Sequence, residues 1–261
     1  AALWMAREWA RWVLKLAEWT CGIRYRIHGG ENVPAGPVVI MAKHQSAWET
    51  LFLEATFPYQ CWIIKRELLW LPFVGWGLAA VRSIAIDRKS GMAARDQIVE
   101  QGARRIREGL WVTIFPEGTR VPVGRRGRYG IGGATLATRT GTPILPVAHN
   151  AGEFWGRYAF RKHAGTVQVV IGPVIETAGR DPVSVTKEVE EWIEGEMVKL
   201  TPERYARPCP AGPRAAHPRP RGRTPRLHAG EAPRPPRRGP QGGRLRPHRE
   251  RPPVGAARAR R

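Results

Sequence analysis

The sequence predicts an α/β fold, a single domain with a mixed, largely parallel β-sheet flanked by helices. Short apolar segments typical of buried strands alternate along the chain with longer segments of helical periodicity. Strands that alternate with helices usually pair into one sheet that the helices cover. This patterning stops near residue 206, where the composition changes abruptly. We therefore expect an N-terminal helix over 1–20, a domain over 21–206 and a disordered tail over 207–261.

The first predicted element is an amphipathic helix over residues 3–20. At about 100° per residue, its charged side chains share one narrow arc: Arg7, Glu8, Arg11, Lys15 and Glu18. Apolar side chains fill the rest of the circumference and include three of the four tryptophans, while Trp4 lies among the charges. A wide apolar face rich in tryptophan favours a helix that lies in a membrane interface. The alternative is a helix packed on the core of the domain.

The first half of the domain contains the next four predicted elements. Residues 38–41 form an uninterrupted apolar segment, which predicts a short buried strand. A helix is predicted over 50–57. Apolar segments over 60–65 and 83–86 predict two further strands.

The centre of the domain contains a long helix followed by a strand. The helix is predicted over 93–108, with Ile98, Val99 and Ile106 facing inward. The apolar segment that follows predicts a buried strand over 110–115, which ends where a proline and a glycine interrupt the pattern.

The last part of the domain contains two helices and two strands. A short helix is predicted over 134–140, and strands are predicted over 144–148 and 167–171. A helix over 186–200 ends the domain.

The segment 207–261 differs in composition from the predicted domain. It carries sixteen arginines against two glutamates, a net charge of +14, which leaves +7 of the total of +21 for residues 1–206. With almost no aliphatic side chains, it cannot bury enough apolar surface to offset the entropy of an ordered chain. Either it is a genuine basic tail that binds lipid or RNA, or it is the out-of-frame translation of a GC-rich gene.

The cysteine content indicates a cellular compartment, whereas the charge does not identify a binding partner. A moderately basic domain suits anionic lipid headgroups, coenzyme A or an acidic carrier protein, and nucleic acid equally well. The widely spaced Cys21, Cys61 and Cys209 form neither a disulfide framework nor a metal-binding pair, which favours reduced thiols in a cytosol-facing protein. We expect neither a signal peptide nor a helix that spans a bilayer within these residues.

Two short motifs carry the predicted chemistry. The segment Phe-Pro-Glu-Gly-Thr-Arg follows the strand over 110–115, and its Arg120 can hold a phosphate through two parallel hydrogen bonds. His44 and Glu49 follow the strand over 38–41. His44 can accept a proton from an alcohol, and Glu49 can orient the imidazole and stabilise its charged form. A candidate base and a candidate phosphate anchor suggest acyl transfer to a phosphorylated alcohol.

The spacing of His44 and Glu49 places a condition on their geometry. On a continuous helix, five positions would separate the two side chains by about 140°, so His44 must lie in the loop before the helix. Ser46 and Glu49 form a capping-box pattern with Ser46 as the N-cap. Glu49 therefore either caps the helix alone or also contacts the imidazole. The cap also accounts for Ser46, which we do not assign as a covalent nucleophile because the G-x-S-x-G pattern is missing.

These motifs, in this order, resemble those of the glycerolipid acyltransferases, specifically the 1-acylglycerol-3-phosphate (lysophosphatidate) acyltransferases. The resemblance covers residues 21–205 and extends to four further segments: 65–68, 72–76, 86–88 and 143–147. The family mostly carries aspartate where this chain has Glu49, and often lysine where it has Gly130.

The resemblance implies a reaction and its participants. An acyl chain would pass directly from acyl-CoA or acyl carrier protein to the sn-2 hydroxyl of 1-acyl-sn-glycerol 3-phosphate, giving phosphatidate and a free thiol. No metal and no tightly bound cofactor is implied. The implied partners are membrane lipids, lysophosphatidate and the thioester donor, without specific nucleic acid. The implied location is the cytoplasmic face of the cell membrane, with peripheral or monotopic attachment.

The resemblance also implies a set of phosphate-binding residues: Arg120, Lys65, Arg88, Glu117, Gly118 and Thr119. Lys65 and Arg88 would add positive charge, although Arg88 can instead form a surface ion pair. The last three residues shape the turn, in which a glycine permits close approach of the backbone to substrate. The loop over 124–133, rich in glycine and arginine, either cradles a phosphate through its amides or is simply mobile.

An aromatic and aliphatic cluster precedes Arg88 in the sequence: Trp62, Trp70, Leu71, Phe73, Trp76 and Leu78. Its members can line an acyl channel, enter a bilayer or pack in the core. Three other functions remain open: acylation of glycerol 3-phosphate or a lyso-aminolipid, a degenerate acyltransferase, and a non-catalytic basic protein that binds lipid or nucleic acid.

Overall fold

The computed structural model describes residues 1–87 and 90–206. The predictions for Arg88 and for the tail over 207–261 lie outside these residues. The strands are β1 (Ile23–His28), β2 (Val39–Ala42), β3 (Gln60–Lys65), β4 (Ile84–Ile86), β5 (Trp111–Ile114), β6 (Ile144–His149) and β7 (Gly165–Ile171). The helices are α1 (Ala2–Cys21), α2 (Trp48–Thr56), α3 (Val74–Ala80), α4 (Met92–Arg107), α5 (Gly132–Thr140), α6 (Ala151–Phe154), α7 (Pro182–Leu200) and α8 (Pro202–Tyr205). Short 3₁₀ segments cover Gly30–Asn32 and Arg66–Trp70.

The described strands form one seven-stranded sheet in the order β1-β7-β6-β2-β5-β3-β4. The five strands from β6 to β4 are all parallel. Strand β7 is antiparallel to β6, and β1 pairs parallel with β7 at the edge. The sheet is thus mixed and largely parallel, which confirms the predicted fold class.

Both faces of the central strands are buried, as is usual for parallel sheets. Alternate side chains of β2 point to opposite faces: Ile40 packs in a cluster with residues of α1 and α2, and Met41 packs in a cluster with residues of α4, α5 and α7. This double burial explains why β2 is apolar at every position instead of alternating.

Several element boundaries differ from the predictions for identifiable reasons. Helix α7 begins at Pro182 rather than near 186, since Asp181 caps it by accepting a hydrogen bond from the Ser184 amide at 2.9 Å. Strand β1 was not predicted, because only Ile23 of its six side chains is buried and the segment has little apolar character. Helix α3 was also missed, because seven residues are too few to establish a helical period.

Helix α1 buries a narrow face of small and aliphatic residues, formed by Ala10, Leu14 and Ala17. The tryptophans point away from the domain, and Trp9, Trp12 and Trp19 are between 61% and 84% exposed. The helix is therefore docked on the domain by one face while its tryptophan-rich face remains uncovered within the described residues. No helix in residues 1–87 and 90–206 has the length and apolar character needed to cross a bilayer.

Candidate active site

The candidate site lies at one edge of the sheet. The strands from β6 to β4 run in the same direction, so the residues that follow them lie at a common carboxyl edge. This edge is where ligands bind in open α/β sheets. His44 follows β2, Phe115 follows the neighbouring β5, and Lys65 ends β3. The topology thus brings together the motifs that are far apart in sequence.

His44 and Glu49 are in direct contact. The His44 Nδ1 lies 2.9 Å from the Glu49 Oε1, and His44 occupies the loop before α2, as the spacing required. The same carboxylate oxygen accepts hydrogen bonds from the backbone amides of Gln45 at 2.8 Å and Ser46 at 2.7 Å. Glu49 is fully buried, whereas the His44 side chain is 18% exposed. The imidazole can therefore be reached from solvent and the carboxylate cannot.

Glu49 is held in its ionised form despite its burial. Burial raises its pKa, but the hydrogen bond to His44, the nearby His149 and the backbone amide of Ser46 together bring the pKa below the ordinary value. An ionised carboxylate can only accept hydrogen bonds, so the proton between the two residues belongs to the His44 Nδ1. The Nε2 of the neutral ring is then an acceptor, as a general base requires.

Ser46 contributes to the start of α2, one residue differently from the prediction. The helix begins at Trp48 with Ala47 as its N-cap residue. The Ser46 hydroxyl accepts a hydrogen bond from the Trp48 amide at 3.0 Å, while its own amide donates to Glu49. Glu49 therefore both accepts hydrogen bonds from the backbone before the helix and contacts the imidazole.

The segment after β5 clamps His44 from the other side. The Phe115 ring stacks on the imidazole with a centroid distance of 3.9 Å and an interplanar angle of 8°. The Glu117 Oε2 accepts a hydrogen bond from the His44 amide at 3.0 Å, and the Val121 amide donates to the His44 carbonyl at 2.7 Å. Both backbone polar groups of His44 and one face of its ring are thereby fixed by residues of a single segment.

Glu117 was grouped with the phosphate-binding residues, but its carboxylate points inward. Its Oε1 accepts from the Lys43 Nζ at 2.7 Å and from the Gly127 amide at 3.1 Å. Burial raises the pKa of this carboxyl group, an effect that Lys43 opposes. Its contacts are those of a residue that positions the His44 loop.

Lys43 joins the site to the C-terminal part of the domain. Its side chain is fully buried, and its Nζ also donates to the Glu194 Oε1 of α7 at 2.6 Å. The Tyr129 hydroxyl donates to the same Glu194 oxygen at 3.1 Å. Sequence reasoning missed Lys43 and Glu194, although a charged residue directly after an entirely apolar strand was an available signal.

His149 is a second histidine at this edge, and its contacts give it a structural character. Its Nε2 lies 2.8 Å from the Lys43 carbonyl, and its Nδ1 accepts from the Ala151 amide at 3.3 Å. Burial lowers its pKa, and because a carbonyl oxygen can only accept, the Nε2 carries a proton and donates to Lys43. Unlike His44, His149 is only 1% exposed. It stabilises the backbone of the β2 and β6 ends.

The remaining predicted residues lie on the segment after β5 and at the end of β3. Arg120 precedes Val121 directly, and its guanidinium lies 5.3 Å from the Tyr158 ring centroid. Within the described residues, this guanidinium takes part in no ion pair. Lys65 is half-exposed and pairs with Glu67 at 3.0 Å. Thr119 is exposed, and Gly118 adopts a positive φ of 66°, a conformation that favours glycine.

An apolar cavity of about 230 Å³ opens beside these residues. It lies between β3, β4 and the first half of α4, and its lining includes Ile63, Ile86, Ala94, Ile98, Phe115 and Gly118. Of the predicted aromatic cluster, only Trp62 is buried, while Trp70, Phe73 and Trp76 are at least 67% exposed. No group of three or more metal-binding side chains is found in the described part of the chain.

Comparison with known proteins finds acyltransferases. A family model described as Acyltransferase matches residues 24–150. A 1-acyl-sn-glycerol-3-phosphate acyltransferase of Pseudomonas aeruginosa is 42% identical over 212 residues, which are 79% of this chain and 82% of the relative. The human 1-acyl-sn-glycerol-3-phosphate acyltransferase beta is 32% identical over 173 residues, 64% of this chain and 62% of the relative.

A solved structure shares the fold. It is the 1-acyl-sn-glycerophosphate (LPA) acyltransferase PlsC of Thermotoga maritima, with a TM-score of 0.64, 21% sequence identity and coverage of 76% of this chain and 79% of that one. The chain belongs to the 1-acyl-sn-glycerol-3-phosphate acyltransferase family, which confirms the resemblance seen in the motifs.

Proposed function

We propose that this protein transfers an acyl chain from an acyl thioester to the sn-2 hydroxyl of 1-acyl-sn-glycerol 3-phosphate, giving phosphatidate and a free thiol. The observation that carries the proposal is the His44–Glu49 pair, in contact at 2.9 Å at the carboxyl edge of the sheet. The names of the similar curated enzymes support the choice of acceptor. The donor is an acyl thioester of coenzyme A or of acyl carrier protein.

In this reaction His44 is the base. Its Nε2 takes the proton of the acceptor hydroxyl while the oxygen attacks the thioester carbonyl. The resulting imidazolium is stabilised by the ionised Glu49, which is buried and already oriented by two backbone amides. The tetrahedral intermediate then expels the thiolate, which takes the proton from His44. No acyl-enzyme forms, so Ser46 keeps its structural role.

The other residues of the site orient His44 or bind the substrates. Phe115 fixes the plane of the imidazole, and Glu117 fixes its backbone. Arg120 is proposed to bind the acceptor phosphate, with Lys65 as additional positive charge at the same edge. The apolar cavity beside Phe115 and Gly118 suits a hydrocarbon chain rather than a headgroup.

We also propose that the protein works on the cytoplasmic face of the membrane. Acceptor and product are both lipids, and α1 presents a face of exposed tryptophans away from the domain. The exposed Trp70, Phe73 and Trp76 around α3, which packs beside α1, extend this apolar surface. Attachment would be peripheral or monotopic.

Thiol release from acyl-CoA and from acyl carrier protein, with and without lysophosphatidate, tests the proposal on the detergent-purified chain. We expect release that requires the lysolipid and falls about 10²–10⁴-fold in His44→Ala. His163→Ala is the matched control, because His163 is exposed and its amide, which the substitution retains, donates to the Phe154 carbonyl at 2.9 Å. Equal release by wild type and His44→Ala, or faster turnover of glycerol 3-phosphate than of lysophosphatidate, would contradict it.

A further inference from the structure

A second arginine, Arg157, lies beside Arg120 on the segment after β5. The Arg157 Nη1 donates to the Arg120 carbonyl at 2.9 Å, and its Nη2 donates to the Tyr158 hydroxyl at 3.2 Å. The Arg157 Cζ lies 4.8 Å from the Tyr158 ring centroid, and the Arg120 Cζ lies 5.3 Å from the same centroid. One aromatic ring therefore gathers two guanidinium groups in cation–π contact.

The segment that carries Arg157 is joined to the active-site loop. It follows α6, whose Gly152 amide donates to the Gln45 side-chain oxygen at 3.4 Å. A Cβ atom at Gly152 would lie 2.9 Å from the Gln45 Cβ, so glycine is needed for this close approach. Because Gln45 is the neighbour of His44, α6 lies against the active-site loop, and residues 155–163 follow α6 directly in the chain.

The two arginines have no carboxylate partner within residues 1–87 and 90–206. The acids nearest to them in sequence are paired with other cations, Glu117 with Lys43 at 2.7 Å and Glu153 with Arg204 at 3.1 Å. Two cations held near one ring repel each other, and a bound anion removes that repulsion. Arg157 uses two of its five N–H donors on protein atoms, and the donors that remain on both groups suit a phosphate monoester.

The backbone of Tyr158 supports a role in ligand binding. Its φ is 59°, a left-handed value that is uncommon for non-glycine residues and strained for a bulky one. Residues held in such conformations concentrate at ligand sites, where the strain keeps a side chain in place. Arg157 and Arg120 also lower the pKa of the Tyr158 phenol, the hydrogen bond from Arg157 being the larger cause.

We propose that Arg157 and Arg120 together form the anion site of the acceptor, with the Tyr158 ring as their shared support. Arg157 is then a further phosphate-binding residue, 37 positions from Arg120 in sequence. This inference rests on the proposed function, because the anion it assigns is the phosphate monoester of lysophosphatidate.

The test compares Arg157→Gln with Arg157→Lys. Glutamine can still donate a hydrogen bond to the Arg120 carbonyl but carries no charge, whereas lysine restores the charge. The matched control is Arg161→Ala, an exposed arginine of the same segment. The kcat and KM are measured with lysophosphatidate and with monoacylglycerol, an acceptor that lacks the phosphate. Lysophosphatidate affinity is measured separately, without donor, by tryptophan fluorescence.

We expect Arg157→Gln to raise the KM for lysophosphatidate about tenfold, the effect of one charge-assisted contact. Turnover of monoacylglycerol should be unchanged, Arg157→Lys should recover part of the loss, and Arg161→Ala should match wild type. An equal loss of kcat/KM with lysophosphatidate and with monoacylglycerol would mean that Arg157 only supports Arg120, and it would overturn the inference. Equal lysophosphatidate affinity of wild type and Arg157→Gln would also overturn it. If wild type binds lysophosphatidate but never acylates it, the proposed function fails, and the affinity comparison still decides the role of Arg157.

Discussion

Replacement of Lys43 by methionine should destabilise the domain strongly, whereas replacement of Glu194 by glutamine should not. Lys43 is the buried cation shared by two buried carboxylates, at 2.7 Å from Glu117 and 2.6 Å from Glu194. One buried amino group is therefore shared by two buried carboxyl groups. Loss of the lysine leaves both carboxyl groups without their partner. Loss of the Glu194 charge, by contrast, leaves the contact between Lys43 and Glu117 in place.

The contacts set the magnitudes. Removing one partner of a buried ion pair typically costs about 3–5 kcal/mol, which we expect for Lys43→Met. Arg126 lies 3.8 Å from Glu194 but is 62% exposed, so it offsets at most about 1 kcal/mol. Glutamine at 194 keeps an oxygen for Lys43 and Tyr129, so Glu194→Gln should change the unfolding free energy by about 1 kcal/mol or less. For a domain of this size, the melting temperature should fall on the order of 10 °C in Lys43→Met and a few degrees at most in Glu194→Gln.

Circular dichroism melts of detergent-purified variants measure these shifts. Lys199→Met is the control, because Lys199 forms an exposed pair with Glu196 on the same helix as Glu194. The Lys43→Met/Glu194→Gln double variant should lose less unfolding free energy than the sum of the two single losses. In the double variant, the Glu117 carboxylate no longer faces a second carboxylate. A melting temperature of Lys43→Met equal to that of wild type, or a Glu194→Gln variant as unstable as Lys43→Met, would contradict this prediction.

Four further predictions concern the base and the membrane. Glu49→Gln should lower kcat about 10²-fold or more without raising the KM for lysolipid, because an amide cannot stabilise the imidazolium of His44. Because the folded-state pKa of Glu49 lies below 4.5, its ionised form should stabilise the fold above about pH 4.5. That contribution should disappear as the pH falls through the folded-state pKa of Glu49. The midpoint of urea unfolding, measured across pH, should not show this pH-dependent loss in Glu49→Gln. Phe115→Leu removes the stacked ring and should reduce kcat about 2- to 10-fold, the rate equivalent of an aromatic contact, in a single-turnover assay with unchanged lysolipid affinity. Trp9→Ala combined with Trp19→Ala should weaken flotation with anionic vesicles while turnover in detergent micelles stays at the wild-type level.

The sequence was informative wherever one segment carried its own signal. Buried strands such as β3 were predicted with the observed bounds because four consecutive apolar residues, 61–64, form the centre of the strand. The edge strand β1 gave no such signal, because its side chains remain exposed and its identity depends on pairing with β7, far away in the chain. Local chemistry thus predicted the elements, and long-range pairing completed the sheet.

The same distinction applies to the site. His44 and Glu49 lie five positions apart, one in the loop before α2 and the other in its first turn, so their contact was predictable from spacing and helix geometry. The contact between Lys43 and Glu194 joins residues 151 positions apart, and Arg157 reaches Arg120 across 37 positions. Such partners are brought together by the sheet order and the connections between strands. Neither the Lys43–Glu194 contact nor the Arg157–Arg120 contact can be deduced from a pattern within one segment.

The two sides of the candidate site differ in how firmly they are held, and the difference follows the chemistry. Proton transfer requires the His44 ring within hydrogen-bond reach of one hydroxyl, so a small displacement is costly. Accordingly its ring is stacked, and its amide and carbonyl are both bonded to the segment after β5. A phosphate carries its charge on several equivalent oxygens and attracts cations over a longer range, so it can be bound by exposed arginines on loops. Rigid support from buried charges therefore belongs to the base, while the anion side depends on arginines gathered at the surface around the Tyr158 ring.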